Sequence, residues 1–238
     1  MKKMSVFMKP TPGHLFKTEL EYWLYISMLF SVALVVAGSI FSGTIILTFL
    51  IWNLFLAFIP YLASGWMQRN TDWNNSRLKF CVAFSVWLLF IPNSFYIVTD
   101  LFHLGTFSMI PAWYELAVIF SFAWNGLMLG VVSVRQVEKL INRSSSQRSR
   151  LLFIYPIMFL NALGVYIGRY LRLNSWDILT DPFQLFKDIS NLAMHPLQYK
   201  YAWAMIVCFS FILTLIFLTL MFSSTESRKE ETLIKSTN

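Results

Sequence analysis

Two short stretches of an otherwise apolar chain carry residues that could do chemistry. Asp100 and His103 stand three residues apart, so a carboxylate and an imidazole could share one proton or one metal ion. Arg169 and Arg172 show the same spacing, which places both on one face of a helix. Two adjacent guanidinium groups can bind a phosphate or carboxylate through paired hydrogen bonds. The residue types therefore predict either an anion receptor or an acid–base site.

Both patterns also have structural alternatives. The arginines could extend toward the headgroups from a helix end and pair with Asp100, Asp177 or Asp181. Asp100 and His103 could belong to an ordinary loop, because the chain has neither an HExxH nor a GxSxG motif. We predict no metal site and no cofactor. The catalytic candidates are His103, Asp100 and Asp177, with either acid orienting the imidazole, and the predicted ligand-binding residues are Arg169, Arg172, Asn93, Asn174 and Trp176.

The composition defines the environment in which these side chains must work. Hydrophobic residues make up 57% of the chain and charged residues only 13%, which excludes an ordinary soluble domain. The net charge of +7 is better explained by cytoplasmic loops than by a nucleic-acid partner. The lipid bilayer is therefore the expected partner, and the expected fold is an all-α polytopic bundle.

The apolar runs predict six transmembrane helices and one membrane domain. The predicted spans cover 22–41, 44–64, a third from Phe80, 112–134, 151–171 and 201–222, between an arm at 1–21 and a charged tail at 223–238. A cleaved signal peptide is the alternative for the first span. The acidic Glu19 and Glu21 and the aromatic cluster from Tyr22 to Tyr25 favour a retained anchor.

The cations predict the orientation of this bundle. Fifteen of the 19 lysines and arginines fall in the two termini and in the loops after the second and fourth spans. The other four, Arg169, Arg172, Lys187 and Lys200, share one connection. The positive-inside rule then predicts a multi-pass protein of the cell membrane with both termini in the cytoplasm. The polar residues after Pro92 and the region 169–200 would both face outward.

Proline, glycine and asparagine residues inside the spans predict local features. Pro92 should stop or kink the third span, with a kinked continuous helix and a bonded Asn93 as the alternative to a break. Glycines four apart in the fourth and fifth spans predict close helix approach. Three asparagines near mid-membrane, Asn53, Asn125 and Asn161, are predicted to join helices by hydrogen bonds. Cys81 and Cys208 are expected to be small core residues without a disulfide.

A further helix is predicted between the fifth and sixth spans. Asp181, Pro182 and Gln184 form a helix-start pattern, and His195 before Pro196 should end the helix. About a dozen residues are too few to cross a bilayer. Its apolar residues, Phe183, Leu185, Phe186, Ile189, Leu192 and Ala193, therefore predict a helix lying in the extracytoplasmic interface.

Three motifs together resemble a bacterial family of integral membrane proteins, domain of unknown function 1361. They are NLFLAFIPYLAS at Asn53–Ser64, WLLFIPNSFYIVTDLFHL at Trp87–Leu104 and GVYIGRYLRLNSWDILTDP at Gly164–Pro182. The resemblance implies a small polytopic membrane protein and carries no activity. It draws attention to residues inside the motifs without giving them roles: Asn93, Asp100, His103, Arg169, Arg172, Asn174, Trp176 and Asp177.

Three functions remain open on these grounds. The first is a polar pocket at the outer leaflet that binds an anionic lipid headgroup, a lipid-linked intermediate or the anionic part of another membrane protein. The second is a hydrolase or transferase at the extracytoplasmic face that uses Asp100 and His103. The third is a channel or carrier through a break at Pro92, although no ionisable residue lies at the centre of a span to serve a proton-coupled carrier.

Overall fold

The computed structural model describes residues 19–70, 77–106, 110–141, 147–173 and 180–237. Seven α-helices account for most of these ranges: α1 (Glu19–Ser42), α2 (Phe49–Arg69), α3 (Arg77–Tyr96), α4 (Ala112–Ile141), α5 (Gln147–Tyr166), α6 (Pro182–Met194) and α7 (Lys200–Thr237). Short 3-10 helices lie at Ile46–Thr48 and Ile97–His103, and a π-helix continues α5 over Ile167–Leu171. The described chain contains no strand, which confirms the all-α fold class.

Six helical segments are long and apolar enough to cross a membrane. They run over Glu19–Ser42, Ile46–Arg69, Leu78–His103, Ala112–Ile141, Arg150–Leu171 and Lys200–Phe222. The shortest has 22 residues, and about 20 helical residues cross the hydrocarbon core of a bilayer. The predicted six-span polytopic bundle is therefore confirmed, and the chain is a multi-pass membrane protein.

The helices pack in two columns that meet at α4, the most buried of the six spans, and along the direct contact between α2 and α3. On one side α1 and α2 meet α4 through a cluster that includes Leu50, Ala57 and Phe122. On the other side α3, α5 and α7 pack around Trp87, Met158 and Phe217. A membrane protein gains little from burying apolar groups that lipid would also accept, so close packing and hydrogen bonds must stabilise these columns.

Hydrogen bonds inside the bundle join α2, α3 and α4 at Ser133. Its hydroxyl donates to the backbone carbonyl of Pro60 at 2.9 Å and accepts the indole N–H of Trp87 at 2.8 Å. Ser64 lies 2.9 Å away and donates to Gln136 Oε1 at 2.7 Å. Such hydrogen bonds between spans contribute to helix association inside a membrane, where lipid offers no polar partner.

Small residues allow α3 to approach its neighbours closely, as the glycine spacing predicts. A Cβ atom added at Gly130 of α4 would lie 2.7 Å from the Phe95 ring. One added at Gly164 of α5 would lie 2.6 Å from Pro92. Both distances are too short for carbon atoms in contact, so each glycine is required by the helix packing.

The helix break proposed at Pro92 does not occur. Helix α3 continues through Pro92 to Tyr96 and then tightens into the 3-10 helix. Asn93 donates to the carbonyl of Phe90 at 3.0 Å, inside its own helix. The alternative of a continuous helix was therefore the correct one. Pro60 and Pro156 likewise lie inside the continuous helices α2 and α5.

Two other predictions about polar and sulfur-containing residues need correction. Cys81 and Cys208 are free, but both are exposed on the outside of the bundle and are not core residues. Asn125 joins helices as predicted, through a 2.8 Å bond to Ser31 of α1. The Asn161 amide instead donates to Ile157 within α5. Hydropathy alone does not show which way a residue faces in an apolar helix.

Candidate functional site

The candidate site lies where the 3-10 helix Ile97–His103 meets the π-helix Ile167–Leu171 and the start of α2. We call this end of the bundle the His103 end. In a 3-10 helix residues three apart eclipse each other, so Asp100 and His103 lie on the same side of their helix. Their predicted proximity is thus produced by a 3-10 helix and not by an irregular loop.

Asp100 is the buried centre of the polar cluster. It is only 1% exposed. Its Oδ2 accepts a hydrogen bond from Asn53 Nδ2 of α2 at 2.8 Å, and its Oδ1 lies 3.5 Å from Arg169 Nη1. A buried carboxylate needs a counter-charge and hydrogen bonds to offset its lost hydration, and these two partners supply both.

Arg169 connects every part of the cluster. Besides Asp100, its guanidinium lies 3.5 Å from the Tyr96 hydroxyl and 3.1 Å from His103 Nε2. The rings of Phe102 and Tyr96 lie 5.4 and 6.0 Å from its central carbon, within the range of cation–π attraction. The side chain is therefore held by an ion pair, a phenol, an imidazole and two aromatic faces.

The contact between Arg169 and His103 defines the state of the imidazole. A guanidinium can only donate hydrogen bonds, so Nε2 of His103 must accept and the ring proton must lie on Nδ1. His103 is then neutral in this arrangement. Asp100 does not orient His103 through a direct bond, because Arg169 lies between them. The edge of the Phe49 ring also packs against the imidazole.

The π-helix explains why Arg169 points into the cluster while Arg172 does not share its position. A π-turn holds one more residue than an α-turn and shifts which side chains share a face. Arg172 then ends the segment in a left-handed conformation (φ 57°) and is exposed. Non-glycine residues pay about 1–3 kcal/mol for such backbone conformations. The regular three-residue spacing therefore breaks at the helix end.

Beside the cluster lies a cavity of about 290 Å³ between α2, α3, α5 and α6. Ligand pockets typically start at about 300 Å³, so the cavity could hold a small headgroup or part of one acyl chain. Its polar lining comes from Asn53, Asn93 and Tyr96. The walls are otherwise apolar or small: Trp52, Leu56, Leu88, Leu89, Pro92, Leu160, Leu163, Gly164, Ile167, Gly168, Leu173, Leu185 and Ile189.

A second buried acid lies at the same end, at the start of α4. Glu115 is 1% exposed, and its Oε2 accepts the backbone N–H of Gly105 at 3.0 Å. Its other oxygen has no hydrogen-bond partner among the residues that the structure describes. The carboxylate thereby fixes the turn after the 3-10 helix, which helps to position His103.

The predicted site residues fall into three groups. Asp100, His103 and Arg169 meet in one cluster, and Asn93 lines the adjacent cavity. Arg172 is exposed and precedes Leu173, which lines the cavity. Asn174, Trp176 and Asp177 lie outside the described residues. Sequence reasoning missed the roles of Tyr96 and Phe102, and it assigned Asn53 to helix joining without its acidic partner.

Metal chemistry finds no support in the part of the chain that is described. There, no group of three His, Cys, Asp or Glu side chains could hold a metal ion. The positively charged Arg169 beside His103 would also repel a cation. The cluster is better suited to holding neutral polar side chains in fixed positions beside the cavity.

Comparison with known proteins defines the family. A family model described as "Protein of unknown function (DUF1361)" matches residues 52–216. The chain belongs to this family. The DUF1361 match starts just before Asn53 and includes Asp100, His103 and Arg169, so the polar cluster and the cavity lie inside the family region, whereas α1 lies outside it. No curated protein and no solved structure matches the chain.

Proposed function

We propose that this DUF1361 protein binds a lipid with an anionic headgroup, or a lipid-linked intermediate, at the outer end of its membrane domain. The observation that carries the proposal is the cavity itself. Its walls are mostly apolar, and three neutral polar side chains, Asn53, Asn93 and Tyr96, also line it. Apolar pockets with a few convergent polar groups are typical of binding sites for amphipathic small molecules.

The cluster supports the polar end of this cavity. Asn53 donates a hydrogen bond to Asp100, and the Tyr96 hydroxyl accepts one from Arg169. The ion pair therefore fixes the positions of two of the three polar lining residues. Pre-positioned side chains lose less conformational entropy when a ligand binds. Arg169 and Asp100 are thus positioning residues in the proposal.

The cations that would attract an anionic headgroup are the exposed ones near the cavity. Arg169 is already neutralised by Asp100, so it is a weaker anion receptor than its sequence position suggested. Arg172 precedes the lining residue Leu173. The exposed Lys187 lies on the side of α6 opposite the lining residues Leu185 and Ile189, so it would attract anionic lipid to this leaflet without contacting a headgroup in the cavity. Each cation near a membrane surface contributes about 1 kcal/mol to attraction of anionic lipid.

The enzyme and channel alternatives receive less support. Arg169 occupies the Nε2 lone pair that a general base at His103 would use, and Nδ1 carries the proton. For a channel, Trp87 and Ile91 are fully buried where a path beside α3 would have to run. Both arrangements favour a binding protein over a hydrolase, a transferase or a static pore.

The proposal places this end of the bundle on the extracytoplasmic side of the cell membrane, with both termini in the cytoplasm. Its support is the charge asymmetry: among the described residues, the lysines and arginines at the His103 end are Arg169, Arg172, Lys187 and Lys200. An anionic segment of another membrane protein could use the same exposed cations. The apolar walls of the cavity favour a lipid instead.

Filling the cavity tests the proposal. Leu163 lines it, and a Leu163→Trp variant should occupy its volume, whereas Leu152→Trp places the same ring on an exposed position of the same helix. We expect native mass spectrometry to show bound phosphatidylglycerol on the wild type and on Leu152→Trp. On Leu163→Trp it should fall at least tenfold. Equal retention by all three proteins would refute binding in this cavity.

The headgroup is tested separately. A variant with Arg172→Ala and Lys187→Ala should still bind lipid but lose its preference for phosphatidylglycerol over phosphatidylcholine. An Arg228→Ala, Lys229→Ala variant removes the same charge from the C-terminal tail and should keep that preference. If the first pair leaves the preference intact, Arg172 and Lys187 do not attract the anionic headgroup.

A further inference from the structure

Helix α6 carries two separate apolar faces and not the single one that its composition suggested. Leu192 is buried, and Leu185 and Ile189 line the cavity, so this first face packs toward the bundle. Phe183 is 86% exposed and Phe186 and Met194 are each 74% exposed. These three form a second face, which no described part of the chain covers.

The faces of α6 are arranged as expected for a helix that lies in the membrane interface and packs against a bundle. At 3.6 residues per turn, α6 has three faces spaced roughly 120° apart. They are the inward face, the Phe183–Phe186–Met194 face, and a polar face with Gln184, Asp188 and Asn191. A helix lying in a membrane surface and touching a protein has one side on the protein, one in lipid and one in water. On the polar face, Gln184 bonds Asp188 at 3.0 Å.

The uncovered face is continuous with surface that already faces lipid. The chain leaves α6 through Leu197, which is 88% exposed, and enters the span Lys200–Phe222 at Tyr201, which is 80% exposed. Lys200 lies 5.2 Å from the Tyr201 ring, a cation and aromatic combination common at membrane interfaces. Trp203 of that span donates to the Leu192 carbonyl at 3.0 Å and so fixes the end of α6 against the bundle.

We propose that Phe183, Phe186 and Met194 of α6 bind the bilayer itself, inserted into the leaflet at the His103 end. Lysine can extend its stem across such a boundary, which suits the exposed Lys187 beside this face. Because the opposite side of α6 lines the cavity, one helix then separates the cavity from lipid. In this arrangement, which rests on the proposed function, the ligand enters from the leaflet beside α6 and not from water.

The test measures where each face of α6 lies. A spin label is placed at Phe186→Cys, at Met194→Cys and at Gln184→Cys in a Cys81→Ser, Cys208→Ser background, with the protein in phosphatidylglycerol and phosphatidylcholine nanodiscs. A label at Leu152→Cys, exposed on a membrane span, gives the lipid reference. We expect labels at 186 and 194 to collide more with oxygen than with a water-soluble nickel chelate, as at 152, and the label at 184 to show the reverse.

Two outcomes would overturn the inference. Nickel accessibility at 186 and 194 as high as at 184 would place this face in water. Low accessibility to both reagents, together with spin–spin broadening, would show that a second copy covers it. Neither outcome bears on lipid retention by the Leu163→Trp and Leu152→Trp pair, so failure of this inference is distinguishable from failure of the cavity proposal.

Discussion

At the scale of single residues, the pairing of Asp100 with Arg169 dominates the site. The acid is almost fully buried, and the arginine side chain is 14% exposed. The attraction between two such charges roughly offsets their loss of hydration, so the pair adds little net stability compared with apolar residues. Its importance lies in what happens when one partner is removed.

Asp100→Asn should destabilise the protein by about 3–5 kcal/mol, because Arg169 would keep a buried charge without a counter-charge. Adding Arg169→Gln removes that charge, so the double variant should be more stable than the sum of the two single effects predicts. Unfolding in mixed micelles with increasing dodecyl sulfate measures all three free energies.

Asp181→Asn provides the control for this cycle. Asp181 is exposed, accepts from the Gln184 backbone N–H at 3.1 Å and starts α6. Asparagine caps helices about as well as aspartate, so this same substitution should change stability by only about 0.5 kcal/mol or less. Strict additivity of Asp100→Asn and Arg169→Gln would show that the two charges do not interact.

At the scale of helices, the close approach of α3 to α4 and α5 positions both the cluster and the cavity. Glycines on the facing helices leave room for Phe95 and Pro92, and the 3-10 helix that continues α3 then carries Asp100 and His103. Pro92 and Gly164 also line the cavity. Any change in this helix spacing should therefore alter the site as well as stability.

Gly164→Ala tests the contact between α5 and α3. Its new methyl group would lie 2.6 Å from Pro92, and such overpacking costs about 1–3 kcal/mol. In Gly65→Ala the nearest atom is 3.5 Å away on the flexible Arg69 side chain, so the better helix propensity of alanine should leave that variant unchanged or up to about 1 kcal/mol more stable. Thermal unfolding in detergent compares the two, and an equal response would disprove the close contact.

At the scale of the whole molecule, the two ends of the bundle differ in charge. The described ion pair at the opposite end joins Arg150 to Glu138 at 3.1 Å. The described helix ends with Arg69, Lys79, Arg135 and Lys139 lie at that end, while the cavity and the polar cluster lie at the His103 end. The function proposed above depends on which end faces outward.

Cysteine labelling on intact cells determines the orientation. In a background without native cysteines, Gln198→Cys at the His103 end should react with a membrane-impermeant maleimide. Asn70→Cys at the opposite end should react only after the membrane is permeabilised. The reverse pattern would put the cavity in the cytoplasmic leaflet and would leave the cavity-filling test valid but the outer-leaflet assignment wrong.

The sequence by itself determined the features that depend on local physics. Crossing hydrocarbon requires about 20 apolar residues with every backbone group bonded internally, so six runs of this length specified six helices. The Asp181 cap and the end of α6 at His195 follow from hydrogen bonds between neighbours in the chain. Glycine spacing indicated close helix contacts because the sequence shows directly where a side chain is absent.

Tertiary structure alone decided the contents of the site. Asn53 and Asp100 are 47 residues apart, and Asp100 and Arg169 are 69 apart, so no local pattern could pair them. The spacing of Arg169 and Arg172 implied neighbours on one helix face, but the π-helix shifts that face and Arg172 itself takes a left-handed conformation. In an all-apolar helix the sequence has no polar face that shows which side points inward, so the orientation of Cys81 and Cys208 depended on which helices pack together. In α6 the sequence does show a polar face, but only packing against the bundle divided its apolar residues into two faces.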